Sequence, residues 1–448
     1  MRIFVFLILL LVFPGSSLKA QTLSHVSGIP EVHHSSIGNV VFHPIGSPLS
    51  FPAINLYDAQ ALLLQFDLLT TESEALRYEI DLCLADWSLS ALDYSEFIAG
   101  FEENTMDVYS ASFNTTLDYL QYRLQLPNEE VHFRLSGNYL ITVFNSKDEV
   151  LLQRRFVVYE SGAGLTVNLD KLLAEPYSGI QAIEVKVNPQ SLSFNQLAGN
   201  MKLAVMQNAN WYNLRYLENY HIDDQQGFLY TSRQELKFEG LNEFRYFDTK
   251  SLRTPSASMA GIEYKPPFYN VYLKTDGLRG QEGYFAKVDF DGNFYIWNQE
   301  SHDDEMLDAD YAWVHFTLET GYPFPAEVYV DGSFSLWQYD RNNMTYNSER
   351  GIYELNLLLK QGIYNYRYVT KEYNNQLVYS DLTEGNHYET GNSYQAFLYY
   401  RQPGERNDRL VGYGLLSTGM EIKEYDKNED NNLIKQILEQ KKKQEGFE

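Results

Sequence analysis

Apolar residues recur along this chain in short bursts separated by turn residues, a spacing that predicts strands rather than helices. Leu62-Leu63-Leu64-Gln65-Phe66-Asp67 is one burst, and Tyr78-Glu79-Ile80-Asp81-Leu82 alternates strictly, as a half-buried strand does. Asn138 to Phe144 and Val150 to Val158 flank Asn145-Ser146-Lys147-Asp148, which predicts an antiparallel hairpin. Tyr139, just after Gly137-Asn138, sits where a tyrosine corner would lie. Further bursts cover 182–187, 201–206 and 268–273. Asp291-Gly292 separates Ala286–Phe290 from Asn293–Trp297, which predicts a hairpin on a type I′ turn. From Tyr311 to Tyr400 strands follow one another closely. Beyond Tyr413 the chain turns polar, and Leu433, Ile434, Ile437 and Leu438 fall at helical spacing.

These elements predict an all-β chain of three consecutive immunoglobulin-like β-sandwich domains with a short C-terminal helix. The expected boundaries are 21–160 for the N-terminal sandwich, 165–300 for the middle one and 305–413 for the third. A polar tail with the amphipathic helix follows at 414–448. Ser161-Gly162-Ala163-Gly164 reads as the first linker. Asp303-Asp304-Glu305, with Asp308 and Asp310, reads as a solvated second linker, a calcium-stiffened hinge being the alternative.

The extreme N-terminus changes the picture. Arg2, the unbroken apolar run Ile3 to Phe13 and small Ala20 read as a secretory signal peptide over 1–20, too short to span a bilayer. An exported location is therefore expected. An outer-membrane barrel fits poorly, because Glu184–Asn188 is too short for a spanning strand and the chain ends in a charged segment.

The 448 residues suit two to four domains at roughly 100–200 residues each. Lys+Arg is 35 against 60 for Asp+Glu, a formal charge of −25 that argues against nucleic acid and anionic lipid as partners. Cys83 is the one cysteine, which excludes an intrachain disulfide and a Cys-rich zinc site. The 36 Tyr and 26 Phe suit half-buried strands.

Catalytic motifs are missing: there is no G-x-S-x-G, no H-E-x-x-H and no phosphate-binding loop. His33 and His34 are adjacent, so on a strand they point to opposite faces and are poorly placed to share a metal. Asp289-x-Asp291-Gly292-Asn293 superficially resembles a calcium loop, but strands are expected on both sides of it. No enzymatic activity and no cofactor are expected.

Two resemblances follow from longer motifs. Residues 311–400 carry Gly332-Ser333-Phe334-x-x-Trp337, then Met344, then Leu359-x-x-Gly362-x-Tyr364-x-Tyr366, and resemble an early-set sandwich of the glycogen-binding-module type. That likeness implies a carbohydrate-stacking role for Trp337 as an alternative to a core position. The whole chain, from about 28 to 413, resembles the plug protein of the type IX secretion system. The likeness rests on Asp86-Trp87-x-x-Ser90, Phe97-x-x-Gly100-Phe101, Ser112-Phe113-Asn114-Thr115, Val205 to Trp211, Asn242 to Asp248 and Tyr400-Arg401-x-x-Gly404-x-Arg406. It implies a periplasmic, non-enzymatic protein that docks on a large outer-membrane translocon barrel, without inserting in the membrane, and seals its inner mouth. Trp211, Asn242, Arg245 and Arg406 are then the candidate partner-binding residues. An exported carbohydrate-binding protein, or an accessory protein of a glycoside hydrolase, is the alternative.

Overall fold

The computed structural model describes residues 31, 33–106, 108–223, 227–231, 235–301, 304–373 and 378–419. The expected signal peptide, the C-terminal helix and Asp303 lie outside them.

Strict alternation makes the N-terminal sandwich. Along Leu76–Cys83 the side chains of Leu76, Tyr78, Ile80 and Leu82 are buried, whereas Arg77, Glu79 and Asp81 are less so. One sheet orders Ile37–Pro44, Leu62–Leu68, Leu120–Leu126 and Tyr109–Ala111. The other orders Ala53–Asn55, Val150–Tyr159, Gly137–Phe144, Leu76–Cys83 and Asn104–Met106. The expected hairpin forms, with Tyr139 opposite Phe156. The tyrosine corner forms as well: the fully buried Tyr139 hydroxyl donates to the Leu135 carbonyl at 2.7 Å.

The two later sandwiches form, but not as consecutive blocks. One sheet of the middle sandwich holds Ala163–Leu169, Ile180–Pro189, Phe228–Tyr230 and His221–Ile222, with Lys237–Glu239 also on Ile180–Pro189. The opposite sheet orders Arg215–Leu217, Met201–Gln207, Ser393–Tyr400 and Arg409–Ser417. The last two strands, assigned from sequence to the third domain, thus complete the second, and Tyr394, Ala396, Leu398, Tyr400 and Val411 enter its core.

The third sandwich is inserted between strands Lys237–Glu239 and Ser393–Tyr400. One of its sheets orders Met259–Lys265, Phe268–Leu273, Tyr311–Glu319, Ile352–Lys360 and Thr345–Asn347. The other is built on Gly362–Lys371, which pairs with Arg245–Asp248, Phe294–Ile296, Glu327–Asp331 and Val378–Tyr379. Strands before residue 300, expected in the middle domain, belong here. The reason is pairing: Phe268–Leu273 lies parallel to Tyr311–Glu319, so the chain between them must cross over rather than end a domain.

The expected Asp-Gly hairpin is half right. Asp291 and Gly292 both have positive φ (54° and 84°), and the Asn293 amide bonds the Phe290 carbonyl, as in a type I′ turn. However, Phe294–Ile296 pairs with Gly362–Tyr364 and not with 286–290. The Asp289 carboxylate is spent on backbone: it accepts from the Asp291 amide at 2.8 Å and from the Phe244 amide.

Candidate functional site

The residues singled out from sequence sit at the seams between sandwiches. Trp211 is 6% exposed and packs edge-on against Trp87 of the N-terminal sandwich, with ring centroids 4.7 Å apart. Phe51 joins it at 5.2 Å, and the Arg155 guanidinium lies over the Trp87 ring at 5.0 Å. Around this cluster the Tyr399 hydroxyl donates to Asn138 Oδ1 and the Tyr216 hydroxyl to the Ala85 carbonyl, both at 2.8 Å. Arg409 grips both oxygens of Glu160. Trp211 therefore glues two domains together, and a partner has no access to it.

Asn242 and Arg245 serve the insertion. A domain inserted in another is entered and left by two linkers, which here run side by side. The His387 amide bonds the Leu241 carbonyl at 2.7 Å, and the Asn242 side-chain amide donates to the Glu384 carbonyl at 2.7 Å. Arg245 reaches Glu384 at 3.0 Å and Asp276 at 2.7 Å, while Arg279 also grips Glu384. Burial opposes the Arg245 charge, but Glu384 and Asp276 outweigh it and hold the guanidinium above its ordinary pKa. Both residues are buried, which rules them out as an open contact surface. Arg406 is exposed, yet it bonds Glu96 at 2.7 and 2.8 Å and the Ala91 carbonyl, tying the loop after Tyr400 to the N-terminal sandwich. Trp211 and Arg406 thus bridge two sandwiches, and Asn242 and Arg245 clasp the linkers of the inserted one.

Trp337 has no stacking face to offer. It is 5% exposed, packed edge-on against Phe244 at 6.0 Å, with the Arg367 guanidinium 5.6 Å from its ring centre. Cys83 is equally closed: burial pushes its thiol up to about 12, so it stays protonated and inert.

The acidic run, expected to be solvated, is a docking seam. Asp304 caps the short helix Glu305–Asp308 through the Met306 amide and pairs with Arg123 at 2.5 Å. Asp310 accepts from the Thr116 amide and hydroxyl, at 2.5 and 2.9 Å. The Tyr119 hydroxyl lies within 3.1 Å of the Met306, Leu307 and Ala309 carbonyls. Beside it is a fully buried ion pair, Lys360 Nζ to Asp67 Oδ2 at 2.6 Å, with the Tyr311 hydroxyl donating to the same oxygen at 2.7 Å. Lys360 lies within the Leu359–Tyr366 motif and Asp67 ends the burst Leu62–Asp67, but neither was singled out as a candidate.

One run of exposed apolar side chains lies on a margin of the N-terminal sandwich. There the two sheets end in short strands, Asn104–Met106 and Tyr109–Ala111, and the chain passes from one edge to the other. Phe101 (68% exposed), Val108 (65%), Tyr109 (43%) and Phe113 (70%) follow along this stretch. Apolar side chains exposed along a sheet edge fit a protein interface better than bulk water. Phe101 and Phe113 stand in the motifs that carried the family resemblance, so a signal was present. Their exposure was not legible, because an apolar residue beside Gly100 or Asn114 reads equally well as buried. Among the described residues no group of three or more His, Cys, Asp or Glu has metal-holding geometry.

Comparison with known proteins adds to this geometry. Residues 37–160 match the family model described as the type 9 secretion system plug protein 1st domain. A crystal structure of a hypothetical protein from Parabacteroides merdae is similar at 30% identity and a TM-score of 0.80, over 86% of this chain and 98% of that one. The linked arrangement of sandwiches is thus shared with that protein. A biofilm-associated protein's BSP domain aligns over 86% of this chain and 60% of its own at 8% identity, but its TM-score of 0.18 carries no argument. No curated protein matches the chain.

Proposed function

We propose, for a chain that belongs to the type IX secretion system plug protein family, a non-enzymatic role as the gate of that machinery. It docks on the periplasmic mouth of the large outer-membrane translocon barrel and closes it while no substrate is being delivered. The observation that carries the reading is the family match itself, which falls on the sandwich bearing the exposed aromatic margin.

Physical features agree with such a task. A gate must resist deformation, and three sandwiches joined through aromatic packing and buried ion pairs form a stiff body. The aromatic margin is a suitable anchor, because Phe and Tyr contribute much of the energy where they become buried against a partner. The formal charge of −25 favours a basic collar on the barrel and speeds encounter by steering, an effect that salt weakens.

The test is a detergent pull-down of the tagged chain from outer membranes. Recovery of a very large barrel protein is expected, and about tenfold less recovery with Phe101→Glu or Phe113→Glu, the loss of one interface anchor. Recovery of no large barrel protein sinks the proposal.

A further inference from the structure

The linkers that enter and leave the inserted sandwich carry further exposed apolar side chains on their rim. Tyr177, Phe285 (79% exposed) and Leu382 (62%) come from three different loops. Contacts brace these loops against one another. The Asn386 side-chain amide donates to the Ser178 carbonyl at 3.0 Å, and the Arg279 amide to the Thr383 carbonyl at 2.9 Å. The Tyr284 and His387 rings lie 5.7 Å apart. Apolar side chains that neighbouring braced loops hold out to water are suited to being covered.

The rim is also acidic. Glu282, Asp381 and Glu389 are exposed on it. Nearby cations are already taken: Arg245 and Arg279 hold Glu384, Lys237 holds Glu175, and Lys287 lies over the Tyr246 ring. Lys171, in the loop that bears Tyr177, is exposed, one cation against three acids. Burial and then the Asp381 charge hold the half-buried Glu239 carboxyl above its usual range, as expected where acids crowd. A cover for this surface needs apolar anchors and positive charge.

A segment of that character leaves the described chain at this place. The described residues end at Gly419, whose Cα lies 2.8 Å from the position of a Cβ on Gly391. Gly391 belongs to the exit linker, and its amide donates to Glu243 Oε1 at 3.0 Å. The Tyr284 hydroxyl donates to the same oxygen at 2.6 Å, next to Phe285 in sequence. Beyond Gly419, Leu433, Ile434, Ile437 and Leu438 recur at helical spacing, and from 431 to 444 four lysines stand against one glutamate. That is a basic stretch in a chain of formal charge −25. Leu433 is 14 positions past Gly419, a reach of up to about 46 Å. So short a tether keeps the segment at a roughly millimolar effective concentration, and a weak contact suffices.

We propose that residues 431–444 dock in cis on this rim, with Leu433, Ile434, Ile437 and Leu438 against Tyr177, Phe285 and Leu382. Lys441, Lys442 and Lys443 then face Glu282, Asp381 and Glu389. The rim straddles both linkers, so the docked segment braces the inserted sandwich against the middle one, and its release frees that joint. The contact is independent of docking on a barrel, since the Phe101–Phe113 margin belongs to the N-terminal sandwich.

Hydrogen–deuterium exchange of the full chain, read by mass spectrometry, tests the assignment. A segment of 14 residues is marginal as an isolated helix in water, so slow exchange at 431–444 requires a surface to dock on. Slow exchange is expected there, and about tenfold faster exchange in Phe285→Ser/Leu382→Ser. Reciprocally, Ile437→Ser/Leu438→Ser is expected to speed exchange at 281–285 and 381–386. Tyr57→Ser, which removes an exposed aromatic from the N-terminal sandwich, should change neither. Circular dichroism melting verifies that the variants fold. Added salt is expected to weaken protection of the segment, and protection indifferent to salt overturns the lysine contacts. Protection that rises with protein concentration assigns the rim to a second copy and overturns docking in cis. The proposal also falls if 431–444 exchanges freely in the parent, or stays protected in Phe285→Ser/Leu382→Ser.

Discussion

Asp67 and Lys360 are 293 positions apart and both wholly buried, and each neutralises the other. Burial lowers the Lys360 pKa, and Asp67 works against that loss. Removing one partner strands a charge in an apolar seam. Lys360→Ala is expected to cost about 3–5 kcal/mol in urea unfolding, with much of it recovered in Asp67→Leu/Lys360→Met, since replacing both charges is close to neutral. His33 provides a second test, in pH. Its folded pKa, about 4, lies below the ordinary 6.5, so the folded state binds the proton less well than the unfolded chain. Its contribution is therefore present above pH 6.5 and is lost as pH falls towards 4. Roughly 2 kcal/mol is at stake after discounting for partial exposure. Thermal melts from pH 7 to 4 should fall less steeply for His33→Gln than for the parent; parallel curves refute this. The pairing of Asp67 with Lys360 was not legible. A lone lysine in a strand reads as solvent-facing until a distant aspartate covers it.

At the scale of elements, the two final strands decide whether the middle sandwich exists. Ser393–Tyr400 pairs with Met201–Gln207 and Arg409–Ser417 with Ser393–Tyr400. Ending the chain after Thr390 is expected to unfold the middle sandwich, because the core loses Tyr394, Ala396, Leu398, Tyr400 and Val411 together. Proteolysis should then degrade 163–239 while the N-terminal sandwich, which keeps all its strands, resists. A protease-resistant middle domain would contradict the inserted topology. The strands themselves were legible from alternation, as was the Tyr139 corner, since both depend on neighbours close in sequence. Which strand pairs with which was not. Phe294–Ile296 follows a turn that suits a hairpin, yet its hydrogen bonds go to Gly362–Tyr364. The same limit explains Trp211, Asn242, Arg245 and Arg406: a motif marks a residue as special without saying whether it faces a partner or another domain.

For the whole molecule, the seams turn three sandwiches into one body. Aromatic packing around Trp211 closes the first, the Asp67–Lys360 pair closes the second, and the Glu384 network clasps the linkers of the third. Trp211→Ala is expected to cost about 3–5 kcal/mol by opening a cavity between domains, measured by denaturant unfolding of the intact chain. From the sequence by itself came the all-β class, the number of sandwiches and the family likeness. These follow from period-two alternation, turn residues and local motifs, which act over a few residues. Only the tertiary structure decided that one sandwich is inserted in another, that the acidic run is a seam and that Trp337 is closed. Those facts depend on contacts between residues tens to hundreds of positions apart, where burial and pairing are set by what the fold brings near.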